Sequence, residues 1–175
     1  MDKETSGILL VGKTEEAFKN LQAQFKERVV EKTYTTLLHG RLEPARGVVE
    51  VPVGRLPWNR ERFGVLPGGR ESISHYEVEA YFSKERQEYS LTTFKPKTGR
   101  THQIRIHAKY LGHPIVGDEF YAGRKTSRAD RTWCSRLFLH ASQISFIHPK
   151  TGKRVVFASY LPQDLEKARL SLEKE

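Results

Sequence analysis

The chain has 175 residues, enough for one domain with a substantial core, and its 37% hydrophobic and 29% charged residues exclude a disordered chain. No apolar run approaches the roughly 20 residues of a membrane helix, and the polar, acidic N-terminus is unlike a secretory signal, so the cytoplasm is the expected location. Thirty Lys and Arg against 21 Asp and Glu give a formal charge of +9, which favours a polyanionic partner such as a nucleic acid, while the single Cys134 excludes an internal disulfide and a multi-thiolate zinc site.

Residues 8–11, Ile-Leu-Leu-Val, form a short apolar run that predicts a buried strand. Thr14 then predicts a helix N-cap, with Glu15 and Glu16 at the positive end of the dipole and Phe18, Leu21 and Phe25 as one apolar stripe over residues 15–28. Residues 34–38 predict a strand. Turn chemistry follows at Gly40 and residues 43–47, and residues 48–53 predict an edge strand broken by Pro52. Residues 56–69 are basic and predict irregular structure, with Arg55, Arg60 and Arg62 around Trp58 and Phe63. Tyr76, Val78, Ala80 and Phe82 alternate, as do residues 88–94, and the two runs are expected to pair across the charged turn 84–87. Thr101 is the expected cap of a second helix whose Ile104, Ala108 and Leu111 share a face and which Gly112 ends. Pro114 to Asp118 is a short apolar segment, and residues 123–132 are expected to be a basic loop. Strands are predicted at 137–141, 144–147 and 155–158, with a turn at 148–152. Pro162 opens a last helix carrying Leu165, Ala168 and Leu172. No internal repeat or linker is visible, so a single domain is expected.

Residues 7–14, GILLVGKT, match the phosphate-loop pattern G-x-x-x-x-G-K-[ST], but the context argues against it. The four variable positions are apolar strand formers, whereas a phosphate loop needs free N–H groups turned inward on the anion. Too few residues precede Gly7 for the required strand, and Asp118 is the best but unconvincing magnesium ligand.

The densest chemistry lies in Thr98-Gly99-Arg100-Thr101-His102-Gln103-Ile104-Arg105-Ile106-His107, at an expected helix start where anions are favoured. His102 and His107 are five apart with no acid between them, which is wrong for a zinc helix, and no G-x-S-x-G elbow is present for a serine hydrolase. An RNA site remains open.

Read together, Asp2-Lys3-Glu4-Thr5-Ser6-Gly7, Lys32-Thr33-Tyr34, the stretch 98–107, Gly112-His113-Pro114-Ile115-Val116-Gly117-Asp118, Leu139-His140-Ala141 and Leu161-Pro162-Gln163-Asp164 resemble, in order, the RluA-type RNA pseudouridine synthases. The resemblance implies an α+β fold with a mixed, mostly antiparallel sheet flanked by helices. It implies isomerisation of uridine in RNA, without metal or organic cofactor, with ribosomal RNA favoured over transfer RNA and no obligatory protein partner. It makes Asp2 the catalytic carboxylate, Arg105 its basic partner and Tyr34 the aromatic that packs on the target base. Ile104 lines the same pocket, and Arg100, His102 and Lys32 are expected on the substrate. Such chemistry is coherent: a flipped base loses its stacking and an aromatic face restores part of it. Without the resemblance, a strand tyrosine such as Tyr34 is more often core than base platform, Arg105 reads as a surface helix residue, His107 and His140 as structural hydrogen-bonders rather than catalysts, and the arginines of 55–62 and 124–136 as partly solvated faces.

The chain departs from the pattern before the aspartate, where the family carries His-Arg-Leu and earlier strands and this sequence has only Met1; Ser74 also replaces a usual threonine. The expectation is an N-terminally truncated catalytic domain, with 8–11 presenting an open edge and Asp2 on a frayed end. Either impaired catalysis or an RNA-binding remnant without catalysis would follow.

Overall fold

The computed structural model describes residues 2–57 and 59–175, and side chains at all of these except 59–61. Trp58 and the Arg60 side chain, expected in the basic segment, lie outside the described residues.

The elements in chain order are β1 (Ser6–Gly7), α1 (Glu15–Lys26), β2 (Glu31–His39), β3 (Arg46–Glu50), β4 (Val53–Leu56), β5 (Asn59–Val65), β6 (Ile73–Lys84), β7 (Gln87–Pro96), α2 (Gln103–Tyr110), α3 (Arg124–Asp130), β8 (Leu139–Ile147), β9 (Arg154–Ala158), α4 (Gln163–Leu170) and β10 (Glu173–Lys174). The main sheet runs β1-β8-β2-β7-β6-β10, with β3 also on β6 and β9 also on β8; β4 and β5 form a separate hairpin. Among the described residues only β1 on β8 is parallel, so the sheet is mixed and mostly antiparallel within an α+β fold.

The β6–β7 hairpin forms as the alternation predicts, turning at residues 84–87 with Lys84 opposite Gln87. Its inward residues, with Leu37 and Leu38 of β2, build the core beside Phe138, Ile115 and Leu165. Burial of side chains of this size contributes about 1.5–3 kcal/mol each. Thr14 caps α1 by accepting from the Ala17 N–H at 3.2 Å.

Several expectations are corrected. Residues 8–11 are not a strand: only the Ile8 N–H enters a ladder, donating to the Ala141 carbonyl, and Leu9 and Val11 are exposed. Helix α1 stops at Lys26, and of its expected stripe only Leu21 is buried. Gln24 is buried instead, because its side chain donates to the Ile147 carbonyl and accepts from the Ile147 N–H. Residues 48–53 split at Pro52, and the basic segment after it is the β4–β5 hairpin rather than irregular chain. Thr101 does not cap α2. His102 stands at the cap position in the left-handed region without a side-chain cap bond, and Gln103 organises the turn, accepting from Thr98 Oγ1 and the Arg100 N–H while donating to the Ile73 carbonyl and Ser74 Oγ. The expected loop 123–132 contains α3, fastened by buried Asp130, which accepts from the Gly117 N–H at 2.8 Å and lies 3.0 Å from His39 Nε2. The two strands expected at 137–147 are one, β8.

Candidate active site

The turn carrying Asp2 closes with the Thr5 N–H donating to the Asp2 carbonyl at 3.1 Å. Side chains from distant parts of the sequence fasten it. Glu4 accepts from Arg131 Nη2 at 2.8 Å, and its carbonyl accepts from Arg136 Nη1 at 2.9 Å. Burial works against the Glu4 charge, but Arg131 outweighs it and holds the carboxyl below its ordinary range. Arg136 also donates to Ser6 Oγ and grips Asp164 of α4 through two nitrogens. His140 Nε2 faces the Ser159 carbonyl, an acceptor only. Its Nδ1 therefore accepts from Ser6 Oγ at 2.9 Å, and Arg136, Ser6, His140 and Ser159 form one directed chain. Gly7, at φ 112°, lets the turn enter β1 against β8, since a Cβ there would strike the Ala141 backbone. The turn is thus a held structure rather than a frayed end.

Arg105 projects from the first turn of α2, a helix buried along residues 103–108. Its side chain is 7% exposed, and the guanidinium lies between two carboxylates. Nε and Nη2 donate to Asp118 at 2.7 and 2.8 Å, and Nη1 donates to Asp2 Oδ2 at 3.2 Å. Burial works against this cation, but Asp118 and then Asp2 outweigh it and raise its pKa above the ordinary value. Asp118 is itself anchored by the N–H groups of Phe120 and Tyr121, each at 3.0 Å. Gly117 permits that turn: at φ 77°, any Cβ would meet the Arg136 carbonyl. Asp118 is thus engaged by Arg105 and two backbone N–H groups, and Gly7 is paired with Ala141 in the sheet.

His102 flanks the pair. Tyr121 Oη donates to the Phe63 carbonyl, so His102 Nδ1 donates to Tyr121 Oη at 2.9 Å and Nε2, the bare nitrogen, sits 4.0 Å from Asp2 Oδ2. Burial, then the neighbouring Arg105 charge, lowers the His102 pKa and keeps the ring neutral. Tyr34, on β2, is partly buried against the core and also lines the cavity. Burial and then the Asp2 charge raise its pKa, leaving a neutral phenol. Burial lowers that of Lys32, whose Nζ lies 5.8 Å from the Phe25 ring centroid.

All seven residues singled out from the sequence, Asp2, Lys32, Tyr34, Arg100, His102, Ile104 and Arg105, line one cavity of about 90 Å³. His107 does not join them. It is fully buried, neither ring nitrogen has a partner, and burial pushes its pKa down to about 4. His140, Arg131 and Arg136 serve the turn rather than the solvent. Asp118 and Tyr121 were missed as site residues. Asp118 falls within a quoted motif, which was the available signal; Arg131 and Arg136 carried none. The hydroxyl of Thr5, another cavity residue, is buried without a partner.

Comparison with known proteins gives this geometry its context. A family model described as RNA pseudouridylate synthase matches residues 1–110. An uncharacterized RNA pseudouridine synthase of Chloroflexus aurantiacus is 39% identical over 166 residues, covering 95% of this chain and 50% of that protein. RNA pseudouridine synthase 2, chloroplastic, of Arabidopsis thaliana is 38% identical, covering 94% and 43%. The solved human RNA Pseudouridylate Synthase Domain Containing 1 superposes with a TM-score of 0.78 at 27% identity, covering 93% of this chain and 67% of that one. The chain spans about half the length of the curated relatives it matches. On the matched sequence, the shared fold and the family model together, the chain belongs to the RNA pseudouridylate synthase family.

Proposed function

We propose that this chain isomerises uridine to pseudouridine in structured RNA, foremost large-subunit ribosomal RNA in the cytoplasm, with Asp2 as the catalytic carboxylate. The observation that carries the reading is the contact of Asp2 Oδ2 with Arg105 Nη1, 3.2 Å, in a cavity that Tyr34 also lines. Asp118 holds the guanidinium edge formed by Nε and Nη2, which turns the Nη1 side toward Asp2. The target uracil leaves the RNA stack at a cost of a few kcal/mol and packs against the neutral Tyr34 ring. Ile104 supplies an apolar wall, while Lys32 and Arg100 meet the RNA phosphates. The bond from C1′ to N1 breaks, the base turns in place, C5 bonds to C1′, the C5 hydrogen departs as a proton and the freed N1 takes up a proton. Atoms balance without an added oxidant, reductant or metal.

The reaction itself provides the test. Transcripts of large-subunit ribosomal RNA and of transfer RNA carrying tritium at uridine C5 are incubated with the chain, and the tritium released to water is counted. Release from the ribosomal transcript that vanishes in Asp2→Ala supports the reading. Release from transfer RNA alone would overturn the substrate class. RNA binding with no release from either transcript would leave only the binding remnant.

A further inference from the structure

Behind the His102–Arg105 wall lies a second cavity, of about 270 Å³, between the β4–β5 hairpin and α2. Phe63, Ile106, Tyr110 and Phe120 line it with the cations Arg62 and Lys109, and no acidic side chain is among its described lining residues. Two of its rings are unusually bare: Tyr110 is 57% exposed and Phe120 39%. Cations already flank one of them, Phe120. The Arg62 guanidinium carbon lies 5.6 Å from the Phe120 centroid, and that of Arg105 lies 5.4 Å from it. Phe120 is thus shared, touching the cation of the first cavity while lining the second. The His102 ring stands 6.0 Å from Phe63 and 6.1 Å from Phe120, so a single layer of side chains separates the two spaces.

We propose that this aromatic slot holds the base of the nucleotide next to the target uridine, stacked on Tyr110 and Phe120, with Arg62 and Lys109 on its phosphate. The assignment rests on the uridine reading of the first cavity. Flat apolar faces joined to uncompensated cations are what an unpaired nucleotide requires, and such stacking tolerates any base. A peptide would find cations without acids and almost no buried hydrogen-bonding groups. An extruded uridine also leaves its neighbour without a stacking partner on one side, and a ring one wall away replaces it.

The test uses the pentanucleotide r(AAUAA), whose lone uracil sets the register, with r(AAAAA) and two derivatives abasic immediately 5′ or 3′ of the uridine. Dissociation constants are measured at one fixed salt concentration. One abasic derivative is expected to bind at least about 5-fold more weakly than r(AAUAA), the equivalent of about 1 kcal/mol. In Tyr110→Ala, a change at an exposed position outside the first cavity, that difference should shrink to within about twofold, while Tyr110→Phe restores it. Equal binding of all three uridine-containing pentamers, or a difference that survives in Tyr110→Ala, overturns the slot while leaving the first cavity's reading intact. If r(AAUAA) binds no better than r(AAAAA), the uridine reading fails and the slot falls with it.

Discussion

The Asp118→Asn change probes the site where the sequence was least informative. Asp118 has a fully buried side chain and forms a two-point ion pair with Arg105, itself 7% exposed. Asparagine keeps the shape, and its oxygen still accepts from the Phe120 and Tyr121 N–H groups. Its amide nitrogen, however, then faces Arg105 Nε–H, donor against donor, and the countercharge is gone. Breaking a buried pair from one side costs about 3–5 kcal/mol, and retention of the backbone bonds places this variant near about 3. For a chain of this length, about 2–4 °C is lost per kcal/mol, so the midpoint of thermal unfolding should fall by about 6–12 °C. Activity should fall further than stability does. Arg105 loses the partner that aims it, and a displacement of about 1 Å in a reacting constellation costs on the order of 100-fold in rate. Calorimetry followed by single-turnover tritium release, read well below the variant's midpoint, separates the two effects. A midpoint within about 2 °C of the parent, or a rate within about threefold, would refute the view that Asp118 positions Arg105.

Replacing Arg105 with Ala should abolish tritium release while RNA affinity, measured by filter binding, stays within about threefold, because the residue is buried and faces carboxylates rather than solvent. A large affinity loss with activity intact would make it a phosphate contact. Arg136→Ala removes the bonds to Glu4, Ser6 and Asp164 together, and should lower kcat more than it raises KM by loosening the Asp2 turn. An unchanged kcat would show that the turn holds itself. His107 sets a pH dependence. Its folded pKa of about 4 lies below the ordinary 6.5, so the unfolded chain binds the proton first. Its contribution to stability is complete above about pH 6.5 and is lost as pH falls toward about 4, amounting to about 3 kcal/mol. Urea unfolding of His107→Leu at pH 7 and pH 4.5 should show a shallower loss than the parent; an equal loss would remove His107 as its source.

Local pattern carried much of the fold. The alternation of Tyr76, Val78, Ala80 and Phe82 states a strand because every second side chain meets a neighbour in the sheet, and Thr14 with its two glutamates states a helix start within one turn of chain. The seven cavity residues were legible through the quoted motifs, which spacing alone would not have interpreted. What failed was set at long range. Phe18 and Phe25 have the right period for a buried stripe, yet Gln24 is drawn inward by a strand more than a hundred residues away. Helix α3 has no apolar stripe; it stands because Asp130 is bonded from Gly117 and His39. Residues 8–11 have strand composition but only one ladder bond, to Ala141. The Asp118 pairing was hidden because a carboxylate in an apolar stretch reads equally as ligand, cap or counter-ion.

The anchors of the Asp2 turn have a consequence for biosynthesis. Asp2 precedes in the chain the groups that fix its turn, at 131, 136, 140 and 164. Contacts of such sequence separation form only once loop closure has been met. A nascent chain that has not yet reached Arg131 would therefore carry the acid, the phenol and β2 without the clamp. The clamp on the Asp2 turn is complete only when α4 has joined it through Asp164.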